Sequence, residues 1–308
     1  MTTPARRQYQ RIKKDHEGEI LLFRMGDFYE TFDADAHILA RELEIALTSR
    51  EMGKGQRVPL AGIPYHALDS YLARLIKKGY KVAICEQTSD PATSRGLVER
   101  EVVRVVTPGT VIEESILEGK SNNYLASVVV EEDRAGIAYV DITTSEFGTT
   151  ELSPTEIAAE IGRLGPSELL VPEDQKFLSS PPGTTVTELG TMPFSLEIAT
   201  ELLLSHFAVL SLEAYGCHRK PMAVRAAGAI IDYLNSNQKS SLGHVKSLHT
   251  YSMSSHMTLD QHTRQNLELF EGGRRGDFGT SLLSVLDHTK TSMGGRLIKK
   301  WIGTPLVD

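Results

Sequence analysis

Gly26-Asp27 stands between two apolar runs, residues 20–23 (ILLF) and residues 28–32 (FYETF). A Gly-Asp pair flanked in this way reads as a two-residue hairpin turn, because Gly accepts the positive φ that such a turn needs. If residues 28–32 return as a strand, their side chains alternate between faces, and Phe28 and Glu30 point the same way. A flat aromatic ring then lies beside a hydrogen-bonding carboxylate near the tip of a hairpin. Such a ring can stack on or wedge beside a nucleic-acid base, and the carboxylate can hydrogen-bond the base edge. The other reading of the same spacing puts Phe28 in the core and leaves Glu30 as a solvated surface acid.

At 308 residues the chain is long for one domain, and two or three are expected. The hairpin is followed by a helix start at Asp33 and Asp35, with Ile38, Leu39, Leu43, Ala46 and Leu47 at helical spacing. Upstream, residues 6–17 read as a basic, polar helix whose charges form a solvated face. Residues 48–57 read as a polar loop, and the prolines of residues 58–64 discourage helix. A second helix begins near Ala67 on the stripe Leu68, Leu72, Leu75 and Ile76, with Gly79 as its C-terminal cap. Residues 81–85 and 102–106 read as strands, and Pro108-Gly109 as a turn. The first domain is therefore a mixed sheet with helices.

A second pattern begins near Asn123. Residues 124–130, 136–143 and 147–152 read as three strands joined by short turns. Ser153-Pro154-Thr155-Glu156 offers a capping box with Pro at the first helical position. Strands at 168–171 and 184–189 and helices at 195–207 and 223–235 follow, an order that resembles a ribonuclease-H-like α/β fold. After about residue 250 the strand signals stop, and residues 260–270, 282–286 and 294–302 look helical.

The net charge of −7 argues against a general nucleic-acid binder, but residues 1–120 carry equal numbers of basic and acidic side chains. The first domain is thus the least repelled by phosphate, without being a basic patch. Cys85 and Cys217 are too few and too far apart for a disulfide framework or a metal cluster, and they point to a reducing compartment. With no apolar run long enough for a membrane span and no signal-peptide core, a cytoplasmic protein is expected.

Three enzyme-like signals are weak. Glu118-Gly119-Lys120-Ser121 resembles the end of a phosphate loop, but Glu114 stands where that loop needs Gly. Asp141, Glu146 and Asp232 are carboxylates that a metal-dependent nuclease on this kind of fold could use, yet no motif ties them together. His244, His249 and His256 fit no common zinc spacing.

The words FRMGDFYETF, VPLAGIPYHALDSYLARLIKKGYKVAICEQ and VVRVVTPGT, in this order, resemble the mismatch-recognition domain of the bacterial MutS family of DNA mismatch-repair proteins. The likeness continues through YVDITTSEF, GRLGPSELLVP, LDQHTRQNLELFEG and SVLDHTKTSMGGRLIKKWIGTPL, and so covers nearly the whole chain. It implies an α/β multidomain chain. Residues 1–110 would be the mixed α+β recognition domain, residues 121–250 a ribonuclease-H-like connector, and residues 251–308 the start of an all-α core or lever domain. It implies that Phe28 and Glu30, as the Phe-X-Glu motif, read the mispaired base. Arg50, Lys54, Arg57, Arg100 and Arg104 are candidates for phosphate contacts, Arg50 and Arg100 foremost by resemblance. The implied partners are mismatched double-stranded DNA, a MutL protein that the connector would help to contact, and a second copy in the intact protein. The family's ATPase, with its ATP and Mg, belongs to a C-terminal domain, so these residues are expected to hold no cofactor and to catalyse nothing. The clamp and main dimer contacts would likewise lie beyond Asp308, leaving this piece a monomer.

Overall fold

The chain reverses at Gly26-Asp27. In the computed structural model β1 (Ile20–Met25) and β2 (Phe28–Phe32) pair antiparallel, with Met25 opposite Phe28. Gly26 carries φ of 62°, the left-handed value that a glycine adopts without a Cβ clash. Residues 3–53, 55, 57–88, 98–175, 182–238, 242–253, 256–257, 259–273 and 278–307 are described. They divide into two units, one of residues 1–116 with 235–242 and one of residues 117–234 with 243–308.

The first unit is built on a six-stranded mixed sheet. Besides β1 and β2 it contains β3 (Thr48–Glu51), β4 (Arg57–Pro64), β5 (Val82–Gln87) and β6 (Arg100–Val106). Their order is β3-β4-β2-β1-β5-β6, with β1 and β5 parallel and the other neighbours antiparallel. The segment expected to be a polar loop thus contributes an edge strand, β3. Its four polar side chains lack the alternation that marks a half-buried strand.

Helix α1 (Pro4–Asp15) starts at a Thr3 cap with Pro4 in its first turn. Its apolar stripe is narrow but buried. The Tyr9 ring meets Phe23 and Phe32 edge-on, at centroid distances of 5.6 and 4.8 Å. The expectation that its charges stay in water fails at Arg6, which is buried and paired with Asp33. Helix α2 (Asp33–Leu43) ends where Glu44 takes a φ of 57°, so Ala46 and Leu47 fall outside it. Helix α3 (Leu68–Lys77) buries Leu72, Leu75 and Ile76, and Gly79 follows with a φ of 82° as a C-terminal glycine should.

Asp35 ties these elements together. Its Oδ2 accepts from the Leu21 amide at 2.9 Å and the Tyr9 hydroxyl at 3.3 Å, and Lys13 Nζ lies 2.9 Å from its Oδ1. One carboxylate therefore joins α1, α2 and β1. Burial, with Asp35 beside it, pushes the Tyr9 phenol far above its ordinary range, so Tyr9 stays a donor.

The second unit also holds a six-stranded mixed sheet, ordered β11-β10-β7-β8-β9-β12. The strands are β7 (Leu125–Glu131), β8 (Arg134–Asp141), β9 (Glu146–Leu152), β10 (Glu168–Pro172), β11 (Thr185–Leu189) and β12 (His249–Thr250). β7, β8 and β9 form an antiparallel meander, while β10 and β11 run parallel beside β7, and β12 runs parallel to β9. The Ser153 capping box forms and opens α4 (Ile157–Leu164) through one 3₁₀ turn. Helices α5 (Leu196–Phe207) and α6 (Pro221–Asn237) cross where a Cβ on Gly228 would stand 2.3 Å from that of Ala199, a contact that only glycine allows. Helices α7 (Gln261–Asn266), α8 (Leu282–Leu286) and α9 (Ser292–Gly303) complete it.

Asp35→Ala is expected to destabilise the first unit by about 2–4 kcal/mol, because it strands the buried Leu21 amide and removes a partner from the Tyr9 hydroxyl and the Lys13 ammonium. A lowered urea midpoint measures this.

Candidate nucleic-acid interface

The hairpin is an interior part of its sheet. β2 is paired with β1 on one side and β4 on the other, with Phe28 opposite Pro64 and Glu30 opposite Gly62. Two further bonds hold the tip: the Tyr65 amide donates to Asp27 O at 2.9 Å, and Arg24 Nε donates to Gly26 O at 2.5 Å.

Phe28 and Glu30 share a face, as alternation requires, but their environments are the reverse of the bland reading. Phe28 is 46% exposed and Glu30 only 7%. A large apolar ring thus meets water while the carboxylate is withdrawn beneath it. Gly62 leaves room over the carboxylate, since a Cβ there would sit 3.1 Å from Tyr29 O and 3.5 Å from Glu30 Cγ. Glu30 Oε2 accepts from Arg50 at 2.6 Å. Loss of water pushes the Glu30 carboxyl above the usual glutamate range, and the charge and hydrogen bond of Arg50 offset part of that rise.

The other face of the tip carries Arg24 and Tyr65. The Arg24 guanidinium lies 3.9 Å from the Tyr65 ring centroid and 5.5 Å from that of Tyr29. Tyr65 is 44% exposed, so a second half-exposed aromatic flanks the tip. Sequence reasoning passed over both residues. The pairing of residues 58–64 as a strand, which the prolines obscured, is the signal that would have placed Tyr65 there.

The arginines separate into two groups. Arg50 is half-exposed on the edge strand and turned to Glu30. Arg57 is exposed, with its guanidinium donating to the Ser49 hydroxyl and carbonyl at 2.9 and 3.0 Å. Arg100 is turned inward: it is 7% exposed, donates to Arg24 O, Val98 O and Gln8 Oε1, and lies 5.0 Å from the Phe23 ring centroid. Arg104 is paired with Glu113 at 2.7 Å and mostly buried. Lys54 lies outside the described residues.

Three residues of the enzyme-like signals, Asp141, Glu146 and Lys120, are held by bonds to other side chains. Both oxygens of Asp141 accept local bonds, from Asn122, Asn123, Thr143 and Thr144, which cap the turn after β8. Glu146 is bonded by Tyr124, Tyr139 and Lys300. Lys120 of the phosphate-loop look-alike reaches Asp287 at 2.8 Å. Among the described residues no three His, Cys, Asp or Glu side chains gather to hold a metal ion, and no helix is long and apolar enough to cross a membrane.

Comparison with known proteins adds an independent line. Residues 3–115, 123–246 and 262–308 match the profiles of MutS domain I, MutS domain II and MutS domain III. The class is therefore a multidomain chain assembled from consecutive MutS domains. The chain is 53% identical over 307 residues to the DNA mismatch repair protein MutS of Dehalococcoides mccartyi (strain CBDB1), covering 99% of this chain and 36% of that protein. It is 47% identical to proteins of the same name from Halothermothrix orenii, over 313 residues, and Methanococcoides burtonii, over 317; 99% of this chain is covered in each case. The chain belongs to the MutS family, and it spans about a third of the length of these curated relatives.

The raised Glu30 carboxyl has a stability consequence with a definite sign. A group whose folded pKa lies above its unfolded value stabilises fully at low pH, and that stabilisation is lost as pH rises from the ordinary value of 4.5 through the raised one. Relative to wild type, Glu30→Gln is therefore expected to gain stability between pH 4.5 and neutrality, which urea midpoints at the two ends will show.

Proposed function

We propose that this chain binds mismatched double-stranded DNA in DNA mismatch repair, with Phe28 stacking on the mispaired base and Glu30 hydrogen-bonding it. The observation that carries this reading is the exposure of Phe28, 46% open to solvent on a strand paired on both sides, with Glu30 on the same face. Intact duplex resists such a ring because neighbouring bases stack. A mismatch lowers the unstacking cost, otherwise a few kcal/mol per step, so the site reads deformability rather than sequence. Backbone contacts fall to Arg50 and Arg57, whose side chains reach solvent; Arg100 and Arg104 support the sheet. In this reading residues 1–110 recognise DNA, residues 121–250 are the connector and residues 251–308 open the helical core domain. The strand order β11-β10-β7-β8-β9, a meander flanked by parallel strands, supports a ribonuclease-H-like connector. ATP, Mg and the main dimer contacts belong to other parts of the intact protein, and the chain itself catalyses nothing.

A fluorescence titration against a G·T-mismatched duplex and its matched twin at low salt tests this. Phe28→Ala is expected to weaken mismatch binding by about 5- to 150-fold, the worth of one base–aromatic stack. Matched binding and the unfolding midpoint stay near wild type. Equal mismatch-to-matched ratios in wild type and variant would overturn the assignment of Phe28.

An apolar groove favours a second role for the connector. Leu196, Thr200, Leu204, Val209 and Leu210 line an open depression along α5, with Leu210 fully exposed. Its occupant in this reading is a MutL protein. Leu204→Lys and Leu210→Lys are expected to abolish capture of MutL by the chain in the absence of DNA while leaving duplex binding intact.

A further inference from the structure

The Glu30–Arg50 pair is unequal in a way that the DNA-binding reading does not use. Glu30 sits on the interior strand β2, its side chain 9% exposed. Arg50 sits on the four-residue edge strand β3, its side chain 44% exposed and two strands away from β2. The cation can leave while the carboxylate cannot. Arg50 is the hydrogen-bond donor that Glu30 has among the described residues.

Among the described residues no second side chain hydrogen-bonds Glu30. Opposite Glu30 on β1 stands Phe23, and on β4 Gly62. From α1 and β6, Arg6, Tyr9 and Arg100 face this side of the sheet; Arg6 is paired through Nη2 with Asp33, Tyr9 bonds Asp35, Arg100 donates to Arg24 O, Val98 O and Gln8 Oε1, and none of the three is bonded to Glu30. Once the guanidinium departs, a desolvated carboxylate stands alone, and such a group neutralises by taking a proton. A phosphate diester competes well for the guanidinium, because it accepts the same forked geometry without being buried.

We propose that Arg50 is the releasable counter-ion of Glu30: duplex phosphate draws the guanidinium off the carboxylate, and Glu30 takes a proton from solvent and meets the base edge as a donor. This rests on the DNA-binding reading. It resolves the problem of placing a carboxylate beside a polyanion, because the charge is discharged in the same step that brings the phosphates close. It also makes Arg50 a specificity-determining residue. A protonated Glu30 can bond a ring nitrogen or carbonyl acceptor on the displaced base, whereas an ionised one requires a donor.

The test follows the Glu30 carboxyl carbon by NMR through a pH titration of the whole chain, wild type and Arg50→Met. In the free proteins the Glu30 midpoint is expected to lie higher in Arg50→Met. Adding matched duplex at low salt is expected to raise the wild-type midpoint more than that of the variant, because the variant has no guanidinium to lose. Equal midpoints in the two free proteins, or equal or absent shifts with both matched and G·T duplex, overturn the proposal. The mismatch reading fails separately, through matched and mismatched duplexes binding alike, since the latch responds to phosphate and needs no mispair.

Discussion

Backbone pairing on both edges of β2 is the constraint on which the site depends. A hairpin at the margin of a sheet presents its tip on a flexible arm. Here β1 and β4 hold the strand on either side, and the Asp27–Tyr65 and Arg24–Gly26 bonds extend that hold to the turn. Phe28 is therefore exposed without being loose, and little conformational entropy remains to be lost when the ring meets a partner. The same pairing sets the depth of Glu30. Two residues along a fixed strand, it falls between the exposed tip and the buried Phe32.

Much of this was legible in the sequence because the decisive interactions are local. The Gly26 turn, the α3 stripe with Gly79 behind it, and the Ser153 capping box are each set by residues within one or two turns of one another. What escaped reading depends on partners distant in the chain. Nothing near Arg100 announces that it will be buried, because its acceptors are Gln8 and the carbonyl of Arg24. The depth of Glu30 depends on β4, and β3 is a strand only because β4 offers it a ladder. The two residues of β12 are too few to show any period. At the site, the type and spacing of Phe28 and Glu30 were readable, whereas their burial, which separates the two readings of that spacing, required the sheet.

On the proposed function, the electrostatics of the first unit favours discrimination by shape and stacking. Residues 1–120 carry no net charge, and near the tip Arg100 is turned inward while Arg24 lies over Tyr65. Among the described residues those guanidinia are already engaged, so on the proposed function the sequence-independent phosphate term is small. On that reading the weakness is useful, because correctly paired DNA is in vast excess over mismatches. Strong phosphate attraction would raise affinity for matched and mismatched duplex alike, without separating them. On the same reading, stacking by Phe28 on a strand paired on both sides is gained only where a base can be moved aside, so its free energy goes mainly into the difference between the two. On the proposed function, Glu30, buried on the same face and paired with Arg50, adds little to encounter and gives its hydrogen bond to a base only once that base has yielded.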